Sequence, residues 1–331
     1  YMPNNRLDAA ELALCLEEQK RMSTEHIGVL LMTYGSPATL EDLPVYLQNI
    51  RGGRPADDEL LTEFQRRYKL IGGSPLLPIT RAQAAALQDE LNTQHPHGPC
   101  FHVMAGMRFA PPFVAEVVPE VAQGADKLVG IIMSPQYSPI IMRGYVRTMQ
   151  EAAANLGRED LPLKISEDWH MQPFFLHAIA ERLRQALDKL PAEVRERVPV
   201  LLTAHSMPKR VVETEPGYID ALKETATAVA KLVGLSSERW MFCYQSAGHT
   251  PEEWLKPDFA DVMPELKAAG HTHVLIAPVQ FLADHLEILY DIEIGAREQA
   301  EEHGIVFART ESLNTSPLFI KALAEVVKEQ L

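Results

Sequence analysis

Residues 277–295 read APVQFLADHLEILYDIEIG, and the pattern around this stretch decides the fold class. The apolar run 274–279 predicts a buried strand, and a helix is expected to begin near Asp284. On that helix the spacing i, i+3, i+7 places Asp284, Glu287 and Asp291 on one face. Such a row is commonly a solvated face. This row follows the carboxyl end of a buried strand, where open α/β sheets bind their ligands, so it is also a candidate cation site.

Short apolar runs alternate with helical patterns along most of the chain. Strands are predicted at 27–33, 101–106, 128–134, 163–167, 200–204, 240–244, 274–279 and 305–309. Helical patterns occupy intervals between them, at 79–91, 112–123, 174–187 and 218–233. Apolar strands separated by helices are typical of α/β proteins, in which parallel sheets are covered on both faces.

The strands fall into two groups of four that resemble each other. The first group opens with LLMTYGSP at 30–37, and the second opens with VLLTAHSMP at 200–208. We therefore predict two similar α/β domains that face each other across a cleft. The predicted division is a helical extension at 1–25, a first domain at 26–165, a second domain at 166–314, and a C-terminal helix at 315–331 that packs back on the first domain.

Composition excludes several classes of protein. The net charge of −14 over 331 residues, without a basic stripe, argues against a nucleic-acid partner. The three cysteines form no C-x-x-C pair, which argues against a zinc knuckle, an iron–sulfur cluster or a disulfide framework. No apolar run is long enough to cross a membrane, and no signal peptide is visible. We expect a cytoplasmic protein without a transmembrane segment.

His205 follows the first strand of the second group, in T-A-H-S-M-P. Neighbouring parallel strands lie about 4.8 Å apart, so His205 and Glu287 are expected within several ångströms of each other. An imidazole opposite a carboxylate suits a divalent metal or a proton-transfer pair. The ordinary alternative is a histidine bonded to the backbone at a turn. Ser206 lacks the G-x-S-x-G context of a serine hydrolase.

The first half supplies different side chains to the predicted cleft. Tyr34 occupies the strand-end position that corresponds to His205. Arg51 lies in N-I-R-G-G-R-P, Arg67-Tyr68 precedes I-G-G-S-P-L, and Tyr145 ends R-G-Y. Arginines at such a glycine-broken lip can pair with carboxylates through two hydrogen bonds, although surface charge is an equally ordinary interpretation of each one.

Taken together, these residues resemble the ferrochelatase family. The matching motifs run in order from about residue 26 to the end: M-T-Y-G-S-P at 32–37, the loop around Arg51, R-Y-x-x-I-G-G-S-P-L at 67–76, T-A-H-S-M-P at 203–208, Y-Q-S-x-G-x-T-P-E-x-W-L at 244–255, and P-V-Q-F-L-A-D-H-L-E-I-L-Y-D at 278–291. The chain departs from the family pattern at Gly295, where a further acid is common, and at Phe109, where His or Tyr is expected.

The resemblance implies two similar Rossmann-like domains of the chelatase type, each a four-stranded parallel sheet flanked by helices, with the active site in the cleft between them. It implies that the protein inserts Fe²⁺, its substrate metal, into a porphyrin as a metallochelatase (a lyase) of heme biosynthesis, without an iron–sulfur cluster. His205 and Glu287 would be catalytic and bind the metal, with Asp291 as an outer ligand. The residues implied to bind porphyrin are Tyr34, Arg51, Arg67, Tyr68, Ser74 and Tyr145.

The short lip between Tyr46 and Pro75 resembles the coproporphyrin III enzymes more than those with a long apolar lip. Coproporphyrin III and ferrous iron are therefore the expected partners, together with other enzymes of the heme pathway. A protoporphyrin IX ferrochelatase is one alternative, and a chelatase that inserts Co²⁺ or Ni²⁺ into another tetrapyrrole is a second. A tetrapyrrole or heme carrier is a third alternative, but a carrier does not need the acidic row that leads to His205.

Overall fold

The computed structural model describes residues 25–248 and 252–331, so the predicted extension at 1–25 lies almost wholly outside the described residues. Within these residues eight strands form two separate sheets of four. The strands are β1 (His26–Thr33), β2 (Cys100–Met107), β3 (Lys127–Ile132), β4 (Leu163–Ser166), β5 (Val200–His205), β6 (Trp240–Gln245), β7 (His273–Pro278) and β8 (Val306–Arg309). The fold class is therefore confirmed as α/β.

The two sheets have the same topology. Their strand orders are β2-β1-β3-β4 and β6-β5-β7-β8, and every neighbouring pair is parallel. In the first sheet Met32 pairs with Gly106 on one side and Ile132 on the other, so the carboxyl ends of three strands lie level. In each sheet the residues that follow the central strand, β1 or β5, therefore lie at the edge formed by the carboxyl ends of the strands.

Helices cover both faces of each sheet. They are α1 (Leu43–Ile50), α2 (Asp58–Leu70), α3 (Leu76–Gln94), α4 (Val114–Val121), α5 (Pro139–Ala154), α6 (Pro173–Asp188), α7 (Ala192–Arg195), α8 (Lys209–Thr214), α9 (Pro216–Val233), α10 (Phe259–Ala268), α11 (Arg297–Glu302) and α12 (Pro317–Lys328). A π-helix spans Glu287–Ala296 and continues directly into α11.

Strand β1 shows why the strands read as unbroken apolar runs. Val29 and Leu31 point into one core, and Leu30 and Met32 point into another, so both faces of the strand are buried. The period-2 alternation of side chains assigns them to opposite faces. Gly28 is required here because a Cβ would lie 2.3 Å from the carbonyl oxygen of Val121 at the end of α4.

One apolar core extends between the two sheets. It contains Val29 and Leu31 of the first sheet and Val200 and Leu202 of the second, and all four are fully buried. Helix α12 fills the space between them, because it packs on both α3 and α6 and buries Phe319 completely. The predicted return of the C-terminal helix therefore brings it against helices from both halves of the chain, and the sheets are held together by a common interior.

The helix that follows β7 differs from its prediction. It begins at Leu286 rather than near Asp284, and its first ten residues from Glu287 have π-helical hydrogen bonding. Asp284 precedes the helix, where its carboxylate accepts hydrogen bonds from Ser312 (2.8 Å) and from the Asn314 amide (2.9 Å). The predicted row of three acids on one helical face was therefore wrong for Asp284.

Candidate active site

A cleft of about 430 Å³ lies where the carboxyl ends of the two sheets face each other. One wall follows β1 and β3, and the other follows β5 and β7. Of the sequence-predicted site residues, those that line the cleft are Tyr34, Tyr68, Ser74, Tyr145, His205 and Glu287. The structure thus brings together residues that lie up to 253 positions apart in the chain.

Glu287 is held between two imidazoles on the wall formed by the second sheet. Its Oε1 lies 3.7 Å from Nε2 of His205, and its Oε2 lies 3.6 Å from Nε2 of His285. His205 is positioned by the end of β5, where its backbone N–H donates to Oε1 of Gln280 at 2.8 Å. The predicted contact between His205 and Glu287 is therefore present.

Hydrogen bonds to the backbone select the form of each imidazole. Nδ1 of His205 contacts the carbonyl oxygen of Ser206, and Nδ1 of His285 lies 2.9 Å from the carbonyl oxygen of Ala283. A carbonyl only accepts, so Nδ1 carries a proton in both rings. Nε2 of neutral His205 then presents its lone pair to the cleft, as metal ligation or proton abstraction requires.

The charges of this wall are mutually dependent. Burial opposes ionisation of Glu287, but the positive charge that His205 carries in its protonated form, with the hydrogen bond and charge of His285, outweighs it and lowers the pKa of Glu287 to about 2. Burial also opposes a charged His285, yet its hydrogen bond and charge interaction with Glu287 raise the net pKa of this imidazole above its ordinary value. Glu287 is consequently a carboxylate, and it favours the protonated form of His285.

The opposite wall presents phenol and hydroxyl groups. Tyr34 is 47% exposed yet lies within the cleft, where burial, reinforced by the charge of Glu287, raises the pKa of its phenol to about 12. Behind it Tyr46 donates to the carbonyl oxygen of Gly35 at 3.1 Å, and Tyr68 is hydrogen-bonded to Ser36 and Tyr46. Burial raises the pKa of Tyr68, so this wall stays neutral and protonated.

Arg108 lies beside Tyr145 at the side of the cleft. Its guanidinium carbon is 4.7 Å from the ring centre of Phe109 and 5.1 Å from that of Tyr145, and Nη1 donates to the carbonyl oxygen of Ile141 at 3.0 Å. Gly144 leaves room for this guanidinium, because a Cβ there would lie 2.1 Å from Nη2 of Arg108 and the arginine side chain would have to move. Phe109, which departs from the family pattern, thus stacks on this arginine.

Three predicted residues flank the cleft instead of lining it. Arg51 caps the C-terminus of α1, and its buried Nε has no hydrogen-bond partner among the described residues. Arg67 pairs with Glu63 at 2.7 Å and approaches Asp291 at 3.8 Å. Burial and the nearby charge of Glu287 raise the pKa of Asp291, although Arg67 and His205 oppose this shift.

The sequence prediction missed His285. It lies two residues before Glu287, in the stretch 277–295. A helix beginning near Asp284 would have placed His285 away from the acidic face. The strand-to-helix turn instead directs His285 into the cleft. A signal was available, since a histidine adjacent to a strand-end acid is a common proton-transfer pair.

Within residues 25–248 and 252–331, no group of three or more His, Cys, Asp or Glu side chains is arranged to hold a metal ion. Among the described helices none combines the length and apolar character needed to cross a bilayer.

Known proteins resemble this chain in fold and in sequence. Bacillus subtilis SirB, solved with Fe³⁺, has a TM-score of 0.57 and 13% identity, covers 93% of this chain and 96% of its own, and shares the fold. A ferrochelatase from Deinococcus radiodurans is 37% identical over 92% of this chain and 96% of its own length. A coproporphyrin III ferrochelatase from Geobacillus kaustophilus is 37% identical over 91% of this chain and 94% of its own.

The model of the ferrochelatase family matches residues 26–331, which include both walls of the cleft and every predicted site residue. The chain therefore belongs to the ferrochelatase family and is a metal-inserting chelatase of heme biosynthesis.

Proposed function

We propose that this chain inserts Fe²⁺ into coproporphyrin III and releases coproheme. The observation that carries the proposal is the pairing of two unlike walls across one cleft. His205 and Glu287 form a metal- and proton-binding wall, and Tyr34 with its hydroxyl neighbours forms a neutral wall. A flat macrocycle between them would meet a metal-binding pair on one face and a phenol on the other.

The choice of porphyrin rests on the relatives and on the lip of the cleft. The Geobacillus relative is named for coproporphyrin III, which carries four propionates. Arg51 lies at the lip with a buried Nε that has no described partner, and Arg54 donates from its Nε to the carbonyl oxygen of Arg51 at 3.2 Å. Arginines pair well with propionate carboxylates, so this lip favours the porphyrin that is richer in them.

Protoporphyrin IX, with two propionates and two vinyl groups, is the second candidate. It is favoured by the apolar part of the cleft, where Ile50, Phe64 and Leu286 are available to vinyl groups. The relative from Deinococcus radiodurans is named only as a ferrochelatase and is as similar as the Geobacillus protein.

The proposed reaction exchanges two pyrrole protons for one ferrous ion. His205, with Nε2 unprotonated, accepts the two pyrrole protons one after the other and releases each to solvent water, and Glu287 stabilises the imidazolium that forms each time. Asp291 and Glu287 replace water ligands of Fe²⁺ in turn as the ion approaches. Both walls lie at strand ends and form a rigid cleft, which can bind a bent macrocycle better than a flat one. Bending exposes the pyrrole lone pairs to the metal and so lowers the barrier to insertion.

The porphyrin is held by the first half in this proposal. Tyr34 and Tyr145 contact the macrocycle, and Tyr68 and Ser74 border it in the cleft. Arg51 and Arg67 bind propionates at the lip. When Arg67 binds a propionate, it gives up part of its contact with Asp291. The cytoplasmic location, the absence of an iron–sulfur cluster and contacts with other heme-pathway enzymes remain predictions.

The test is anaerobic metallation of coproporphyrin III and of protoporphyrin IX with Fe²⁺, followed by absorption spectroscopy. We expect rapid conversion of coproporphyrin III and slow conversion of protoporphyrin IX. The reverse preference would assign the protein to protoporphyrin IX. Tight binding of both porphyrins without metal insertion would overturn the enzyme proposal in favour of a carrier.

A further inference from the structure

The residues that present His285 and Glu287 have little regular structure of their own. Residues 281–285 belong to neither a strand nor a helix, although Leu282, Ala283 and His285 all line the cleft. A catalytic pair tolerates little displacement, because an error of about 1 Å can reduce a rate about a hundredfold. Something outside this segment must therefore fix its path.

Asn314, in the loop between β8 and α12, makes that connection. Its backbone N–H donates to the carbonyl oxygen of Leu282 at 3.0 Å. Its Oδ1 accepts from the backbone N–H of Asp284 at 3.0 Å, and its Nδ2 donates to Oδ2 of Asp284 at 2.9 Å. One residue thus binds the backbone on both sides of Ala283 and the side chain of Asp284.

The first half of the chain completes this contact. Nε2 of Gln83, a buried residue of α3, donates to the carbonyl oxygen of Asn314 at 2.9 Å and lies 3.3 Å from that of Leu282. The loop and the segment are therefore anchored together to the helix that borders the other side of the cleft. The arrangement joins the two walls through polar contacts of Gln83 and Leu282, which line the cleft, with Asn314, which does not.

The backbone of Asn314 is held in an unusual conformation. Its φ of +45° lies in the left-handed region, and only Asn314 and Ser246 among the described non-glycine residues have positive φ. Asn tolerates this region better than most residues, but the conformation still has a cost that its surroundings must offset. Strained backbone of this kind is concentrated at functional sites.

We propose that Asn314 is a positioning residue for metal insertion: it fixes the path of residues 282–284 so that His285 and Glu287 face the cleft. Asn314 touches neither the cleft nor the proposed ligands, and it acts through the segment that it holds. The inference rests on the proposed role of Glu287 and adds a residue that the sequence motifs of the site did not single out.

The first experiment compares Asn314→Ala and Asn314→Gly with the wild type on the porphyrin that the wild type converts. We expect kcat to fall about tenfold to a hundredfold in both variants, with KM for porphyrin changed by less than about threefold, because porphyrin is held mainly by the other wall. Glycine adopts a positive φ without strain. A fall of kcat in Asn314→Gly would therefore be caused by the missing side-chain amide and not by a change of backbone conformation.

Asn92→Ala is the matched control. The side-chain amide of Asn92 also binds a backbone segment. Its Nδ2 donates to the carbonyl oxygen of Phe101 at 3.0 Å, and its Oδ1 accepts from the backbone N–H of Phe101 at 2.8 Å. That contact lies at the start of β2, at the opposite end of the sheet from the cleft. We expect Asn92→Ala to lower Tm by a similar amount and to retain kcat. A kcat for Asn314→Ala within about twofold of wild type would overturn the inference.

An exchange of the two side chains tests the contact directly. Asn314→Asp alone places a second carboxylate against that of Asp284. We expect kcat to fall at least about tenfold, the size of effect that the loss of a buried hydrogen bond has. Adding Asp284→Asn restores an amide-to-carboxylate hydrogen bond with its direction reversed, keeps an oxygen for Ser312, and should recover most of kcat. Failure of the double variant to recover would contradict the proposal even if Asn314→Ala did not fold. A wild type that inserts no metal would instead refute the proposed function.

Discussion

Glu287 gains its properties from the two imidazoles on either side of it. His205 and His285 each lie within 3.7 Å of one of its oxygens, so this carboxylate stays ionised inside the cleft. An anion fixed there stabilises both an approaching cation and an imidazolium that forms on His205. The two histidines differ in position, because His205 ends β5 whereas His285 lies in the turn before the π-helix.

His205→Ala should therefore abolish metal insertion and leave porphyrin binding intact. We expect kcat to fall about a hundredfold or more, since both a proton acceptor and a metal ligand are removed. Porphyrin fluorescence titration should give an unchanged Kd. His273→Ala, at the opposite end of the same sheet, is the control and should keep full activity. Normal turnover by His205→Ala would exclude the assigned role.

The pairing of Glu287 with His285 also predicts how stability depends on pH. The lowered pKa of Glu287 stabilises the fold above its usual value of 4.5, and this contribution is lost as pH falls toward about 2. The raised pKa of His285 stabilises the fold below its usual 6.5, and this contribution is lost as pH rises through the raised value. Both contributions are fully present between these two usual values.

Glu287→Gln should thus cost most stability between about pH 4.5 and about pH 6.5. The difference in free energy of unfolding between this variant and wild type should shrink on either side of that window. Urea unfolding at a series of pH values measures it, with Glu298→Gln on α11 as an exposed control. A difference that is independent of pH would show that the ion pair is absent in solution.

At the scale of elements, the π-helix determines which acids serve the cleft. Its wider turn keeps Glu287 and Asp291 together on the side of Arg67 and His205, while Ile288 and Ile292 are buried behind them. An acidic pair on a helix that begins at the cleft is suited to pass a cation inward. Helix α2 borders the same route, where Arg67 lies 4.9 Å from the ring centre of Tyr290.

Asp291→Asn should weaken iron delivery more than chemistry. We expect KM for Fe²⁺ to rise several-fold and kcat at saturating iron to change little, because the pair at His205 stays intact. Burial raises the pKa of Asp291, so the wild-type KM for iron should also rise as pH falls, and it should do so at higher pH than for an ordinary aspartate. Glu298→Gln again serves as the control. An unchanged KM for iron in Asp291→Asn would remove this residue from the metal path.

Most elements could be predicted from the sequence, because local patterns determine them. Strand β7 was predicted at 274–279 and is observed at His273–Pro278, since its buried apolar run has no other stable environment. Asp284 was misassigned because its spacing from Glu287 and Asp291 fits one helical face, whereas its carboxylate accepts hydrogen bonds from Ser312 and Asn314, about thirty residues away. The π-helix has no local pattern of its own, and His285 was missed because the helix was predicted to begin near Asp284 rather than at Leu286.

At the scale of the whole molecule, the two sheets share an interior. Val29 of the first sheet, Val200 of the second and Phe319 of α12 belong to one buried cluster. Gln83 adds a polar connection from α3 to residues Leu282 and Asn314 of the other half. A molecule built in this way should unfold as one unit, even though its sequence divides into two similar halves.

Equilibrium unfolding should therefore show a single transition that is identical by tryptophan fluorescence and by circular dichroism. Phe319→Ala, which removes a fully buried ring from the common core, should cost about 3–5 kcal/mol and shift both probes together. Val306→Ala, at an exposed position on β8, should change little. Two separate transitions, or a shift in one probe alone, would mean that the halves unfold independently.

The identical strand order of the two sheets has a consequence for the ancestry of the protein. Tyr34 follows β1 and His205 ends β5, so one cleft is lined by the corresponding strand ends of two copies of the same four-strand plan. The simplest history is duplication and fusion of a gene for a single unit that once paired with itself. Such a pair would have offered both faces of a ligand the same residue. The copies then diverged, to a phenol on one side and an imidazole on the other, so that the two faces of a ligand now meet different groups.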